Sequence, residues 1–195
     1  MTQLDLFGRA EPTFDGAFRT LRRRALAFGA WIDYAPGWVA GHEALFEQLR
    51  GSLAWRSETR PMYDRIVAVP RLLASVPAVG VVAAMQRALD QRYGERFVRT
   101  SAALYRDGHD SVAFHGDTTA RDMDEAIVAT VSLGEPRRFL VKPTTGGSSI
   151  VYVLGRGDLV VMGGSCQRTW RHAIPKAASA GPRIALMFRP EWDAA

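Results

Sequence analysis

The stretch Phe97-Val98-Arg99-Thr100-Ser101-Ala102-Ala103-Leu104-Tyr105, closed by Arg106-Asp107-Gly108, decides the fold of this 195-residue chain. It carries β-branched and aromatic side chains, has no Pro or Gly inside it, and stops at an Asp-Gly turn signal, as a strand does. The pattern then repeats. Ser111–Phe114, Ile127–Leu133, Arg138–Val141, Ile150–Leu154, Leu159–Met162, Thr169–Ile174 and Ile184–Phe188 are similar short runs. Gly134-Glu135-Pro136, Thr145-Gly146-Gly147, Gly155-Arg156-Gly157 and Gly181-Pro182 punctuate them. Such spacing predicts an antiparallel sandwich or barrel. Upstream the period is helical. Leu45, Phe46 and Leu49 fall at helical spacing within Val39–Leu49, and Val82, Met85, Ala88 and Leu89 share a face within Val79–Tyr93. Arg22-Arg23-Arg24 lies in a stretch that reads as an edge strand with a solvated face. The expected class is therefore α+β, a jelly-roll-like C-terminal half with N-terminal helices packed on one face. Residues 1–15 read as a flexible tail and 16–195 as a single domain, with a helical extension over 16–96 and the β core over 97–190.

Composition excludes several classes. At 47% hydrophobic and 23% charged the chain is ordinary for a globular protein, not a disordered one. Its longest apolar run, Ala78–Met85, is far short of the ~20 residues of a membrane helix. The opening Met1–Leu6 carries an acid and no basic cluster, unlike a secretory signal. A lone cysteine, Cys166, forms no internal disulfide and suits a reducing interior, so the cytoplasm is expected. The net charge is +5, and all basic residues but Lys142 and Lys176 are arginines. Arginine's planar fork matches phosphate, which points to nucleic acid, although a bias in the coding sequence gives the same ratio.

Histidines are scarce: His42, His109, His115 and His172. His115-Gly116-Asp117 sets an imidazole and a carboxylate two residues apart, on the same face of an extended segment. His172 sits in a later predicted strand that a sandwich can return beside them. Two imidazoles and one carboxylate form the facial triad of non-haem Fe(II) oxygenases. Two solvent-facing pairs would look the same. Arg183 and Arg189, six apart on a mostly apolar strand, share a face and are costly to bury unless they meet an anion. A dicarboxylate chelating the metal supplies that anion, whereas two rim arginines in water need none.

Six blocks carry a resemblance. They are Leu104-Tyr105-Arg106-Asp107-Gly108, Phe114-His115-Gly116-Asp117, Val131-Ser132-Leu133-Gly134, Gly157–Gly164, Trp170–Pro175 and Pro182–Arg189. In this order, over roughly residues 97–190, they resemble the AlkB family of Fe(II)/2-oxoglutarate-dependent dioxygenases, the alkylated-nucleobase demethylases. The resemblance implies a double-stranded β-helix, with 16–96 as a nucleotide-facing extension. It implies His115, Asp117 and His172 as catalytic iron ligands. Arg183, helped by the Tyr105 hydroxyl, would grip the distal carboxylate of 2-oxoglutarate, with Arg189 beside Asp117. It implies Fe(II), with 2-oxoglutarate and O2 as co-substrates, and alkylated DNA, single- or double-stranded, or RNA as partner. Two positions depart from the family: Ala103 and Ala185 stand where an asparagine is usual, so the co-substrate pocket is lined differently. Val69-Pro70-Arg71-Leu72 resembles the family's nucleotide loop without the aromatics that commonly follow it. Tyr63 and Arg71 are the substrate-binding candidates.

The expected activity is thus oxidative demethylation of N-alkylated bases in DNA repair. The alternative is a 2-oxoglutarate-dependent hydroxylase acting on a protein side chain or a small molecule. A non-catalytic sandwich would need no iron, and a zinc hydrolase would have no use for Arg183 and Arg189. Finally, Gln3-Leu4-Asp5-Leu6-Phe7 resembles the peptide by which bacterial replication proteins dock on the DNA sliding clamp. Packing of the same residues on the protein's own surface is the alternative.

Overall fold

The computed structural model describes residues 11–62, 65–117 and 123–191. Gln3, Leu4, Asp5, Leu6 and Phe7, and the substrate candidate Tyr63, lie outside the described residues. The N-terminal part holds β1 (Thr13–Phe14), β2 (Arg22–Ala25), β3 (Trp31–Ala35), β4 (Val39–Ala40), α1 (His42–Ser52), β5 (Arg56–Met62), β6 (Arg65–Ser75) and α2 (Gly80–Tyr93). The remainder holds β7 (Phe97–Tyr105), β8 (Val112–His115), β9 (Val128–Gly134), β10 (Arg137–Pro143), β11 (Ile150–Leu154), β12 (Asp158–Gly163), α3 (Cys166–Thr169), β13 (Trp170–Ile174) and β14 (Arg183–Pro190).

Two antiparallel sheets make the sandwich. The large one runs β2-β3-β12-β9-β14-β7-β6-β5 and the small one β11-β10-β13-β8. Side chains alternate between the faces of a strand, and the large sheet uses both faces. Ala102 and Leu104 of β7, Val131 and Leu133 of β9, and Ile184, Leu186 and Phe188 of β14 join one core cluster. The apolar stripes of the helices complete it: Leu45, Phe46 and Leu49 from α1, and Val82, Met85 and Leu89 from α2. The opposite face sends Ala103, Val128, Val160, Met162 and Ala185 against Phe139, Val141, Trp170 and Ile174 of the small sheet. Strands buried on both faces read as continuous apolar runs, which is why Ile184–Phe188 alternates poorly in sequence. Helix α2 ends where Gly94 takes φ +67° and returns its N–H to the Asp90 carbonyl, a conformation that favours glycine.

The N-terminal part differs from the sequence expectation in two respects. Residues 16–96 are not simply a helical extension, for β2 and β3 build one edge of the large sheet and β5 and β6 the other. Neither hairpin shows a clear period because its pairing is long-range, β3 onto β12 and β6 onto β7. The tail, for its part, is already fixed by Thr13. β1 pairs with β4, and the Phe14 ring lies 4.9 Å from that of Trp38.

Asp33 of β3 is fully buried, a charged residue that no local sequence pattern marks as interior. Arg23 of β2 donates from Nε at 2.7 Å and Nη2 at 2.8 Å, and the Tyr93 hydroxyl donates at 3.0 Å. The Arg23 guanidinium also lies 3.7 Å from the Trp31 ring centre. Burial first, and then the Asp33 charge, push the Tyr93 phenol up. One carboxylate thus ties the edge strand, β3 and the end of α2 together. Asp33→Ala is expected to lower stability by on the order of 2 kcal/mol, less than a fully buried pair because Arg23 can turn to water, as read from the urea midpoint.

Candidate active site

Strand parity brings the site together. Arg183, Ala185, Met187 and Arg189 of β14 leave one face, and Arg183 is register-paired with Tyr105, Ala185 with Ala103. That face lines a cavity of about 1170 Å³, shared by Tyr105, His115, Asp117, His172, Arg183 and Arg189. The small sheet supplies the imidazoles. His115 of β8 and His172 of β13 are register partners, their ring centroids 4.4 Å apart.

His115 Nδ1 lies 2.8 Å from the Ala113 carbonyl, which can only accept. That contact places a proton on Nδ1, which makes Nε2 the nitrogen that could meet a metal. Burial, with lesser contributions from His115, Arg189 and Arg71, holds His172 well below the usual histidine pKa, so the ring is neutral. Asp117 takes Arg189 Nε on Oδ2 at 2.5 Å, and Arg189 also donates from Nη1 to Ser101 at 3.0 Å. Its backbone N–H donates to Gln167 Oε1 at 3.0 Å. Among the described residues no three His, Cys, Asp or Glu side chains form a ready-made metal cage. The imidazoles are together, and the Asp117 carboxylate is turned onto Arg189.

Arg183 is the other centre. Its side chain is 1% exposed, and burial pushes its pKa down to about 10. Ser132 Oγ accepts from Nε at 2.6 Å, and the Tyr105 ring centre lies 5.2 Å from the guanidinium carbon. Nη1 is buried and has no hydrogen-bond partner among the described residues. Native structures rarely leave a charged donor so, and a carboxylate in the cavity would satisfy it. Two imidazoles, a carboxylate and a waiting guanidinium fit Fe(II) and a dicarboxylate. Ala103 and Ala185 are both buried and offer this wall methyl groups only.

Arg71 also lines the cavity, where its charge reaches His172. His109 is exposed, and His42 is half-buried near the start of α1, outside the site. Cys166 is buried, its thiol pushed up to about 12, and is not an activated nucleophile. Sequence reasoning missed three buried polar residues. Ser132 serves Arg183, Gln167 serves Asp117, and Arg137 donates to the carbonyls of Asp107, Asp110 and Pro175. Ser132 is one polar residue in an apolar run, whereas Gln167 and Arg137 stand among other polar residues, and no local pattern marks any of the three.

Comparison with known proteins matches residues 47–189 to the 2OG-Fe(II) oxygenase superfamily. The chain belongs to that superfamily, whose members use Fe(II) with 2-oxoglutarate and O2. It is 30% identical over 186 residues to the alpha-ketoglutarate-dependent dioxygenase alkB homolog 3 of Bos taurus, covering 81% of this chain and 65% of the relative. It is 28% identical over 204 residues to the DNA oxidative demethylase ALKBH2 of Arabidopsis thaliana, covering 82% and 63%. The chain thus spans a little under two thirds of the length of each. The structure of OsALKBH1 superposes with a TM-score of 0.60 at 14% identity, over 87% of this chain and all of that one, which shows the shared jelly-roll fold.

A buried guanidinium with one nitrogen unpartnered among the described residues costs folding free energy. Arg183→Met is expected to leave the urea midpoint unchanged or raise it, while abolishing the rise in melting temperature that 2-oxoglutarate gives the wild type.

Proposed function

We propose that the protein is an Fe(II)/2-oxoglutarate-dependent demethylase of N-alkylated bases in DNA, with RNA a second polymer it would admit, acting in alkylation repair. Its products would be the unmodified base, formaldehyde, succinate and CO2. The observation that carries this reading is the unpartnered Nη1 of Arg183, buried in the same cavity as the paired imidazoles. Fe(II) with 2-oxoglutarate and O2 would supply an oxidant strong enough to hydroxylate a methyl C–H bond. His115, His172 and Asp117 would hold the metal, with Arg189 orienting the carboxylate. Arg183 would take the distal carboxylate of the co-substrate through a charge-assisted bond, with the Tyr105 hydroxyl beside it.

The cavity has room for more than the co-substrate. At about 1170 Å³ it exceeds the roughly 300–1,000 Å³ of most ligand sites. A base turned out of its stack would enter here, which costs a few kcal/mol and least for a damaged or single-stranded base. Arg56, Arg71 and Arg99 stand among the cavity residues and suit the phosphates on either side of such a base. The N-terminal Gln3–Phe7 peptide, if it docks on a sliding clamp, would favour DNA over RNA. Once the N-methyl group is hydroxylated, the hydroxymethyl amine falls apart unaided to formaldehyde. The protein's own task is to hold the methyl carbon in place and keep water out.

Anaerobic Fe(II) and 2-oxoglutarate are expected to give a visible charge-transfer band that is lost in His115→Ala. Oligonucleotides carrying N-methylated adenine or cytosine are expected to release formaldehyde above the enzyme-free level. A charge-transfer band with no formaldehyde from any methylated base would instead favour a hydroxylase of a protein side chain or small molecule.

A further inference from the structure

We infer that Gln167 is the positioning residue of the His115-Gly116-Asp117 turn, holding it from both the side chain and the main chain so that the carboxylate of Asp117 is presented to a metal. The inference rests on the ligand roles proposed above.

Gln167 lies in the four-residue α3, between β12 and β13, and is 3% exposed. Its Oε1 accepts the Asp117 N–H at 3.0 Å, across 50 residues of sequence. Its Nε2 donates to the Met162 thioether at 3.9 Å, its one partner among the described residues. A primary amide buried this deeply costs free energy unless it is hydrogen-bonded, and the Asp117 N–H is its one strong partner among the described residues. The main chain meets the same turn. A Cβ on Gly116 would fall 2.3 Å from the Gln167 carbonyl oxygen, so the turn closes on α3 only because residue 116 is glycine. Asp117 is thus held from two directions, its N–H by Gln167 and its carboxylate by Arg189. β13 continues directly from α3 and carries His172, so the contact also sets the His-Gly-Asp turn against the second imidazole strand. Outer-shell groups of this kind orient metal ligands without touching the ion.

The test is titration of the metal-free full chain with Co(II), which reports binding and ligand geometry without turnover. Gln167→Met keeps the shape and removes the acceptor, and Gln167→Glu keeps both. Gln167→Met is expected to weaken Co(II) binding about tenfold and to alter the visible Co(II) spectrum. Gln167→Glu is expected to restore wild-type affinity and spectrum. Gly116→Ala, which pushes the turn off α3, is expected to weaken binding like Gln167→Met. Wild-type affinity and spectrum in Gln167→Met would overturn the inference. So would a Gln167→Glu protein that binds as poorly as Gln167→Met, or a Gln167→Met protein that does not fold, since the side chain would then serve the fold alone. A wild-type chain that takes up no Co(II) would overturn the assignment of His115, Asp117 and His172 first, and this inference with it.

Discussion

Taking a guanidinium out of water costs several kcal/mol unless other groups replace its hydration, and the inner face of this sandwich is arranged around one such group. β14 is hydrogen-bonded on one side to β7 and on the other to β9. With both edges occupied, its backbone cannot rotate to return Arg183 to solvent. The neighbours compensate in part. Ser132 on β9 and Tyr105 on β7 lie on the flanking strands at the positions register-adjacent to β14's inner face. One nitrogen is still left over. A charged donor that faces a cavity and lacks a partner among the described residues is suited by its chemistry to an anion.

The two faces of the large sheet divide the work. The outer face and the stripes of α1 and α2 form an apolar cluster that stabilises the domain. The inner face can therefore hold small and polar residues and leave a cavity without dissolving the core. Ala103 and Ala185 show this use of space, since a register-paired pair of methyl groups next to a guanidinium leaves room where longer side chains would fill it. The small sheet brings the imidazoles in by direct strand pairing, His172 opposite His115, with the register shifting between His172 and Ile174.

Asp117 is set by longer connections. It follows β8 and is held by Arg189 from the end of β14 and by Gln167 from α3. These two contacts span 72 and 50 residues. That explains why the imidazoles are already paired while the carboxylate is engaged by Arg189. A strand register is fixed by many backbone hydrogen bonds, whereas a side chain at a strand's end is fixed by one or two.

The sequence by itself determined the strands from Phe97 onward, the two helices, and the same-face relation of Arg183 to Arg189, because each follows from local period and residue type. It also marked His115, Asp117 and His172 as chemically apt and separated by a distance a sandwich can close. The stretch with Arg22–Arg24 also reads as an edge strand in sequence, as β2 is, and only the tertiary structure decided that β3, β5 and β6 join the large sheet, since β3 and β6 pair with strands far along the chain. It alone paired Asp33 with Arg23, set Ser132 under Arg183 and gave Gln167 to the His115-Gly116-Asp117 turn. A polar residue inside an apolar run looks the same in sequence whether it is a defect or a support. What distinguishes them is the partner that folding brings to it.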